Sequence, residues 1–271
     1  MSARRPGGWG HTAIGVVILA VFLFPVYWML NVSLQHGGGA VATPWVPIHL
    51  TLDGYNKALH DQGAHLLTSL VISLGSVLLS LLIAAPAAYA LAQLRVRGAG
   101  VVLLGILVSQ MIPGIVVANA LYSAYTDLGL LNTVWGLILA DSCLGIPFAM
   151  LILRASMSTL PRALLEAAQV DGAGPVRVFV SIVLPLSRNA LITAALFTFL
   201  FTWADFLFAL TLTTTDSVRP ITLGLYTYVG AHVSDWSSVM ATAVMASLPA
   251  LVLLVIAQRY VAAGTTAGAV K

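Results

Sequence analysis

The stretch LPRALLEAAQVDGAG, residues 160–174, lies between two long apolar runs yet is short, rich in small residues and holds two of the chain's nine acidic residues, Glu166 and Asp171. Its pattern predicts a helix over about residues 161–171. Thr159 is a candidate N-cap, Pro161 suits a first helical turn where no amide donor is needed, and Gly172 stands where a helix ends on a left-handed residue. Gly174 and Pro175 restart the chain into VRVFVSIVL, and Pro185 bends the approach to the next apolar run. Arg162 and Glu166, four residues apart, can pair, but an exposed pair of that kind contributes only about 0.3–0.5 kcal/mol. Local stability therefore does not account for the segment. Ala167 and Ala168 leave a low-relief surface beside Leu164 and Leu165, a shape that lets a groove on another protein come close to the helix backbone. A helix that merely lay on lipid would oppose a strongly basic face to a bulky apolar one, and Glu166, Gln169, Asp171 and the paired alanines fit that poorly.

The surroundings of this helix are those of a membrane protein. Of 271 residues 59% are hydrophobic and 8% charged, and mean hydropathy is +0.98; soluble domains carry about a quarter charged residues. A hydrocarbon core needs roughly 20 apolar residues per helix. Six runs qualify, at about 12–34, 66–94, 100–125, 131–153, 189–213 and 239–260. With the N-terminus inside, Arg4, Arg5, Arg95, Arg97, Arg154, Arg162, Arg177, Arg188, Arg259 and Lys271 fall on the cytoplasmic side, and only Lys57 and Arg219 fall outside. Ten of the twelve basic residues then obey the positive-inside rule, so both termini are expected in the cytoplasm and residues 154–188 form a cytoplasmic loop. The first run follows Arg4 and Arg5 like a secretory signal, but it is too long and no A-x-A-like site follows; it is expected to be retained.

One domain is expected over residues 1–271: an all-α polytopic bundle of six transmembrane helices. Residues 35–65, with Gly37, Gly38, Gly39, Pro44 and Pro47, read as a loop followed by a short interfacial helix. Trp45 and Tyr55 suit a membrane–water boundary. LRVRGAG and TDLGLLN are tight turns that make neighbouring helices antiparallel. Residues 214–238 form a longer outer loop. The basic residues are spread singly, which excludes a nucleic-acid patch despite a pI near 9.2. The single cysteine, Cys143, excludes a disulfide framework or a multi-Cys metal site. His11, His36, His49, His60, His65 and His232 form no H-x-x-x-H or H-E-x-x-H spacing, so no metal site is expected.

EAAQVDGAG, followed by Leu184 and Pro185, resembles the EAA motif, E-A-A-x-x-x-G then L-P, of permease subunits in bacterial binding-protein-dependent ABC importers. AAYALAQLRVRG (87–98), LGLLNTVWGLIL (128–139), WADFLFAL (203–210) and QRYVAAGTTAGAVK (258–271) resemble the carbohydrate-uptake, MalG-like branch of that family. The resemblance covers residues 68–271, about three quarters of the chain. Two departures stand out: the usual W-N-[DE]-F is Trp203-Ala204-Asp205-Phe206, and the common N-S before the second span is Thr68-Ser69.

The resemblance implies a type I ABC importer permease in the bacterial cytoplasmic membrane. Its partners would be a MalF-like second permease, two ATPase subunits and an extracytoplasmic solute-binding protein, and its substrate a sugar or sugar derivative. The chain has no G-x-x-x-x-G-K-[ST], so ATP and Mg would be bound by the partner ATPases, with no cofactor and no catalysis in this chain. Leu165 and Ala168 would then supply apolar contact with the ATPase, Glu166 a polar contact, Ala167 close approach, and Asp171 and Gly172 the end of the coupling helix.

Polar groups at membrane depth usually face protein or water. Asp141, Asn119, Gln110, Asn132, Trp203, Asp205 and Phe206 are therefore candidates for a substrate passage, an aromatic face stacking on a sugar while carboxylates and amides bind hydroxyls. The same groups could equally hydrogen-bond between helices. Tyr226, Tyr228 and Trp236 are candidates for contact with the binding protein, or for an interfacial aromatic belt. Two readings compete with an ATP-driven permease. Half of an ion-coupled secondary transporter would use Asp141 and Asp205 but gives no reason for the EAA helix; an intramembrane hydrolase lacks a G-x-S-x-G turn.

Overall fold

A computed structural model of the chain describes residues 9–36, 43–46, 49–94, 96–231 and 235–266, with side chains in the last helix described as far as Gln258. Arg4, Arg5, Arg95, His232, Lys271, Gly37, Gly38, Gly39 and Pro47 lie outside the described residues, as does the side chain of Arg259. The elements are α1 (Trp9–Ser33), α2 (Asp53–Gln93), α3 (Ala99–Ser109), α4 (Gly114–Leu128), α5 (Val134–Met157) and α6 (Arg162–Val170). Next come α7 (Pro175–Val178), a π-helical turn (Phe179–Val183), α8 (Leu184–Leu186), α9 (Arg188–Trp203), α10 (Leu207–Leu212), α11 (Ile221–Ala231) and α12 (Trp236–Thr266). Among the described residues the only β pairing is a lone bridge between Gln35 and Leu50. The all-α expectation holds.

Among the described residues four helices are long and apolar enough to cross a membrane: α1, α2, α5 and the Trp236–Gln258 part of α12. Two bent pairs raise the number to six if each is one span: α3 with α4 at 93°, and Pro175–Leu186 with α9 at 77°. The run at 100–125, expected to be one membrane-spanning helix, breaks at residues 110–113. Pro113 supplies no amide donor and sits at the N-cap of α4 with ψ 132, so the helical ladder stops there although hydropathy does not. The run at 189–213 ends its helix at Trp203 and restarts at Leu207. The short interfacial helix expected before the second span is no separate element but the opening of the 41-residue α2. Residues 214–238, expected to form an outer loop, contain α11.

The chain divides into two compact units, one of Met1–Gly63 and Leu225–Leu248, the other of Ala64–Gly224 and Pro249–Lys271. In the first, Ser33 Oγ lies 2.8 Å from Tyr55 Oη, Lys57 pairs with Asp235 at 2.6 Å, and the Phe24, Trp28 and Trp45 rings cluster with centroids 5.6–6.2 Å apart. In the second, one core unites Ile72, Ala118, Tyr125, Leu137, Ile138, Phe208 and Leu212 from α2, α4, α5 and α10. Another unites Ala84, Ala88 and Tyr89 of α2, Ala149, Leu153 and Met157 of α5, Leu165 of α6, and Val178, Val183 and Ala194 beyond it. Between these cores α2, α5 and α9 meet at Gly145, where a Cβ would stand 2.6 Å from Ser80 Oγ and 2.8 Å from Thr198 Cγ2. A side chain at that crossing would have to displace Ser80 Oγ and Thr198 Cγ2.

Candidate functional site

The helix that carries the EAA motif is defined by its ends. Pro161 takes the N-cap position with φ −62 and ψ 124, and no side chain caps the first turn. Thr159, expected to be that cap, instead donates its hydroxyl to Ser156 O at 2.8 Å and finishes the last turn of α5. The distal end is a Schellman motif. Gly172 N–H donates to Gln169 O at 3.0 Å, Ala173 N–H donates to Ala168 O at 2.9 Å, and Gly172 has φ 83. No atom lies within 4 Å of a Cβ built on Gly172, so glycine is required there by backbone torsion and not by space.

Leu165 is 6% exposed and Ala168 half-buried, both packed in the core beneath α6. Leu165 was expected to offer apolar contact to a partner; it is instead the helix's attachment to its own bundle. The exposed face carries Leu164 (43% exposed), Glu166, Ala167, Val170 (87% exposed) and Asp171. Its large exposed apolar side chains are Leu164 and Val170. No ion pair joins Arg162 and Glu166 among the described residues, and both line a cavity of about 220 Å³ with Tyr89, Gln93, Leu94, Leu165 and Gln169.

The candidates for a substrate passage fall around the break between α9 and α10. Trp203 is buried, its ring stacked on Phe199 with centroids 5.4 Å apart. Both carboxylate oxygens of Asp205 accept backbone amides in the first turn of α10, Phe208 N–H at 3.3 Å and Ala209 N–H at 3.1 Å, and Thr222 Oγ1 donates to its carbonyl at 2.5 Å. Asp205 is thus a helix cap whose oxygens are engaged. Phe206 is the half-buried N-cap residue. Asp141 is 6% exposed within α5. Asn119 is exposed on α4, and no hydrogen bond joins it to this group among the described residues.

The far end of α10 is held by Asn132, the only non-glycine residue with positive φ (60) among the described residues. Its backbone N–H donates to Leu212 O at 3.1 Å, and its Oδ1 accepts from Thr214 N–H at 2.7 Å and Thr215 N–H at 2.9 Å. Sequence reading put Asn132 among passage residues and missed this clamp. The available signal was an Asn, tolerant of the left-handed region, just before Thr133, whose hydroxyl caps α5 by accepting Gly136 N–H at 2.9 Å.

Of the three aromatics expected to lie outside, Tyr226 is exposed and Trp236 half-buried at the start of α12. Tyr228, expected to face a partner, is 4% exposed and donates to Asp61 Oδ2 at 3.1 Å. Burial, reinforced by the Asp61 hydrogen bond, raises the Tyr228 phenol to about 12. The His60 hydrogen bond holds the Asp61 carboxyl below its ordinary value against the opposing effect of burial. At Asp235 burial raises the carboxyl, but hydrogen bonds from Lys57, Ser237 and Ser238 outweigh it and leave the group well below the usual carboxylate range.

The chain is similar to known proteins over nearly its whole length. The trehalose/maltose transport system permease protein MalG of Thermococcus litoralis is 33% identical over 264 residues, 95% of each chain. The trehalose transport system permease protein SugB of Mycobacterium tuberculosis is 31% identical over 275 residues, 100% of each. In fold, the chain is similar to one in the crystal structure of a bacterial ABC transporter involved in the import of the acidic polysaccharide alginate, with TM-score 0.79, 22% identity, and 96% of this chain and 99% of that chain covered. Residues 76–266 match a family defined as binding-protein-dependent transport system inner membrane component. The chain is therefore a multi-pass membrane permease and belongs to that family.

Proposed function

We propose that the protein is the MalG-like permease subunit of an ATP-driven importer that moves a sugar or sugar derivative into the cell. The substrate would be handed over by an extracytoplasmic binding protein, and α6 would couple the bundle to a separate ATPase. One observation carries this reading: α6 is a nine-residue helix stopped at both ends, anchored inward by Leu165 and open outward along Leu164, Glu166, Ala167, Val170 and Asp171. A short rigid helix of that kind passes displacement on, because packed interfaces switch between discrete arrangements rather than deform continuously. Names of relatives that specify trehalose and maltose support the sugar class.

In this reading the chain crosses the bacterial cytoplasmic membrane six times, with both termini and residues 154–188 inside. ATP and Mg bind to two partner ATPases, and this chain contributes no catalysis. A MalF-like permease completes the passage, to which Asn119, Asp141, Trp203, Asp205 and Phe206 would contribute mainly as framework, since Asp205 and Trp203 are already engaged within the chain. Tyr226 and Trp236 would meet the binding protein. Co-purification of the chain with an ATPase, followed by vanadate-sensitive uptake of radiolabelled trehalose or maltose into proteoliposomes, tests the proposal. A chain that binds no ATPase, or uptake driven by an ion gradient without ATP, would overturn it.

A further inference from the structure

The elbow between α5 and α6 lacks the backbone bonding that would fix its angle. Pro161 has no amide to donate, and the bonds nearest the elbow stay on one side or the other: Leu160 N–H to Met157 O at 3.3 Å, Leu164 N–H to Pro161 O at 3.2 Å. A force applied to α6 could therefore be absorbed by bending at residues 158–161. What braces the elbow is a side chain of another helix. Gln93 Nε2, in the last turn of α2, donates to Met157 O at 2.7 Å and to Leu160 O at 3.4 Å, one carbonyl at the end of α5 and one just before Pro161.

The same face of α2 holds the rest of the loop. Tyr89, one helical turn before Gln93, belongs to the core that receives Leu165 from α6, and its ring lies 5.4 Å from that of Phe179 on the outgoing segment. Beside these contacts lies the cavity of about 220 Å³ between α2 and α6. We propose that Gln93 is a positioning residue for energy coupling: it locks the elbow so that movement of α6 is delivered to α2 rather than lost at Pro161. This rests on the reading of α6 as the ATPase-coupled helix.

The donor chemistry makes the test specific. The acceptors are carbonyls, Met157 O at the negative end of α5 and Leu160 O just beyond it, so Gln93→Glu, nearly isosteric but without a donor, should break the brace, and Gln93→Lys, a cationic donor of similar reach, should keep it. The assay uses the full assembly in proteoliposomes, reading radiolabelled trehalose or maltose taken up per ATP hydrolysed, with thermal unfolding of each variant alongside. The expected result is that Gln93→Glu lowers the transport-to-hydrolysis ratio about tenfold at unchanged hydrolysis and nearly unchanged unfolding temperature, while Gln93→Lys restores most of it. Equal coupling in wild type and Gln93→Glu would overturn the role of Gln93 and leave the importer reading standing. Loss of assembly in both variants would overturn it in favour of a purely structural contact. A wild-type assembly that shows no ATP-linked uptake would remove the importer reading and this inference together.

Discussion

Asn132 and Thr214 are bonded in both directions: Thr214 N–H donates to Asn132 Oδ1 at 2.7 Å, and Asn132 Nδ2 donates to Thr214 Oγ1 at 3.0 Å. With Asp205 capping the other end, these contacts hold the six-residue α10 at both termini. Asn132→Ala should destabilise the protein by about 2–3 kcal/mol, since it removes several hydrogen bonds and forces a Cβ residue without local bonding into the left-handed region. Asn132→Gly should lose the side-chain bonds and relieve the torsion, so its unfolding temperature should fall between wild type and alanine. If the glycine variant unfolds below the alanine variant, torsional strain is not part of the effect.

Leu164 and Leu165 are neighbours with opposite duties. Leu165→Ala empties a packed position and should cost about 2–5 kcal/mol in thermal or denaturant unfolding. Leu164→Ala, at an exposed position, should leave unfolding within about 0.5 kcal/mol while weakening retention of the ATPase on an affinity column. The opposite pattern would mean that the two faces of α6 have been assigned the wrong way round.

Gly172→Val places a β-branched side chain at φ 83. The strain of about 1–2 kcal/mol falls on the Schellman turn and not on the bundle, so the variant should insert and purify normally while losing transport per ATP hydrolysed. Gly172→Asn, better tolerated in that conformation, should lose less. Normal uptake by the valine variant would show that α6 can end in another way without consequence.

Asp235 and Tyr228 give opposite pH signatures. The Asp235 carboxyl is lowered on folding, so its stabilisation is complete above its unfolded value of about 3.9 and disappears as pH falls through the still lower folded value. The stability gap between wild type and Asp235→Asn should therefore be full at neutral pH and shrink in acid. The Tyr228 phenol is raised to about 12. Its contribution is complete below the unfolded value of about 10 and lost as pH rises towards 12. Tyr228→Phe should remove that alkaline loss, and thermal unfolding of the three proteins across pH would show whether it does.

What the sequence revealed followed from the physics each pattern reports. Residues 161–171 were legible as a helix within one residue at each end, because proline and glycine act locally through φ and missing donors. The break before Pro113 was hidden because hydropathy continues through it; only the proline marked the place. Leu165 was assigned outward because an amphipathic helix with two prospective partners shows which residues are apolar but not which neighbour each one meets. Tyr228 was missed for the same reason, its acceptor Asp61 lying 167 residues away. Asp205 was readable in principle, since an acidic residue two positions before Leu207 is a helix-start signal, but its place in an apolar run drew attention to a passage instead.

Because α6 starts against Pro161 and stops at Gly172, it has no slack through which to lengthen or shorten. One residue added between those two punctuation marks would turn everything beyond it by about 100° around the axis. Placed ahead of Leu165, it would swing that side chain out of the core, and the helix would show its greasy anchor to water. Change in this segment can proceed by exchanging side chains; it cannot proceed by altering their number.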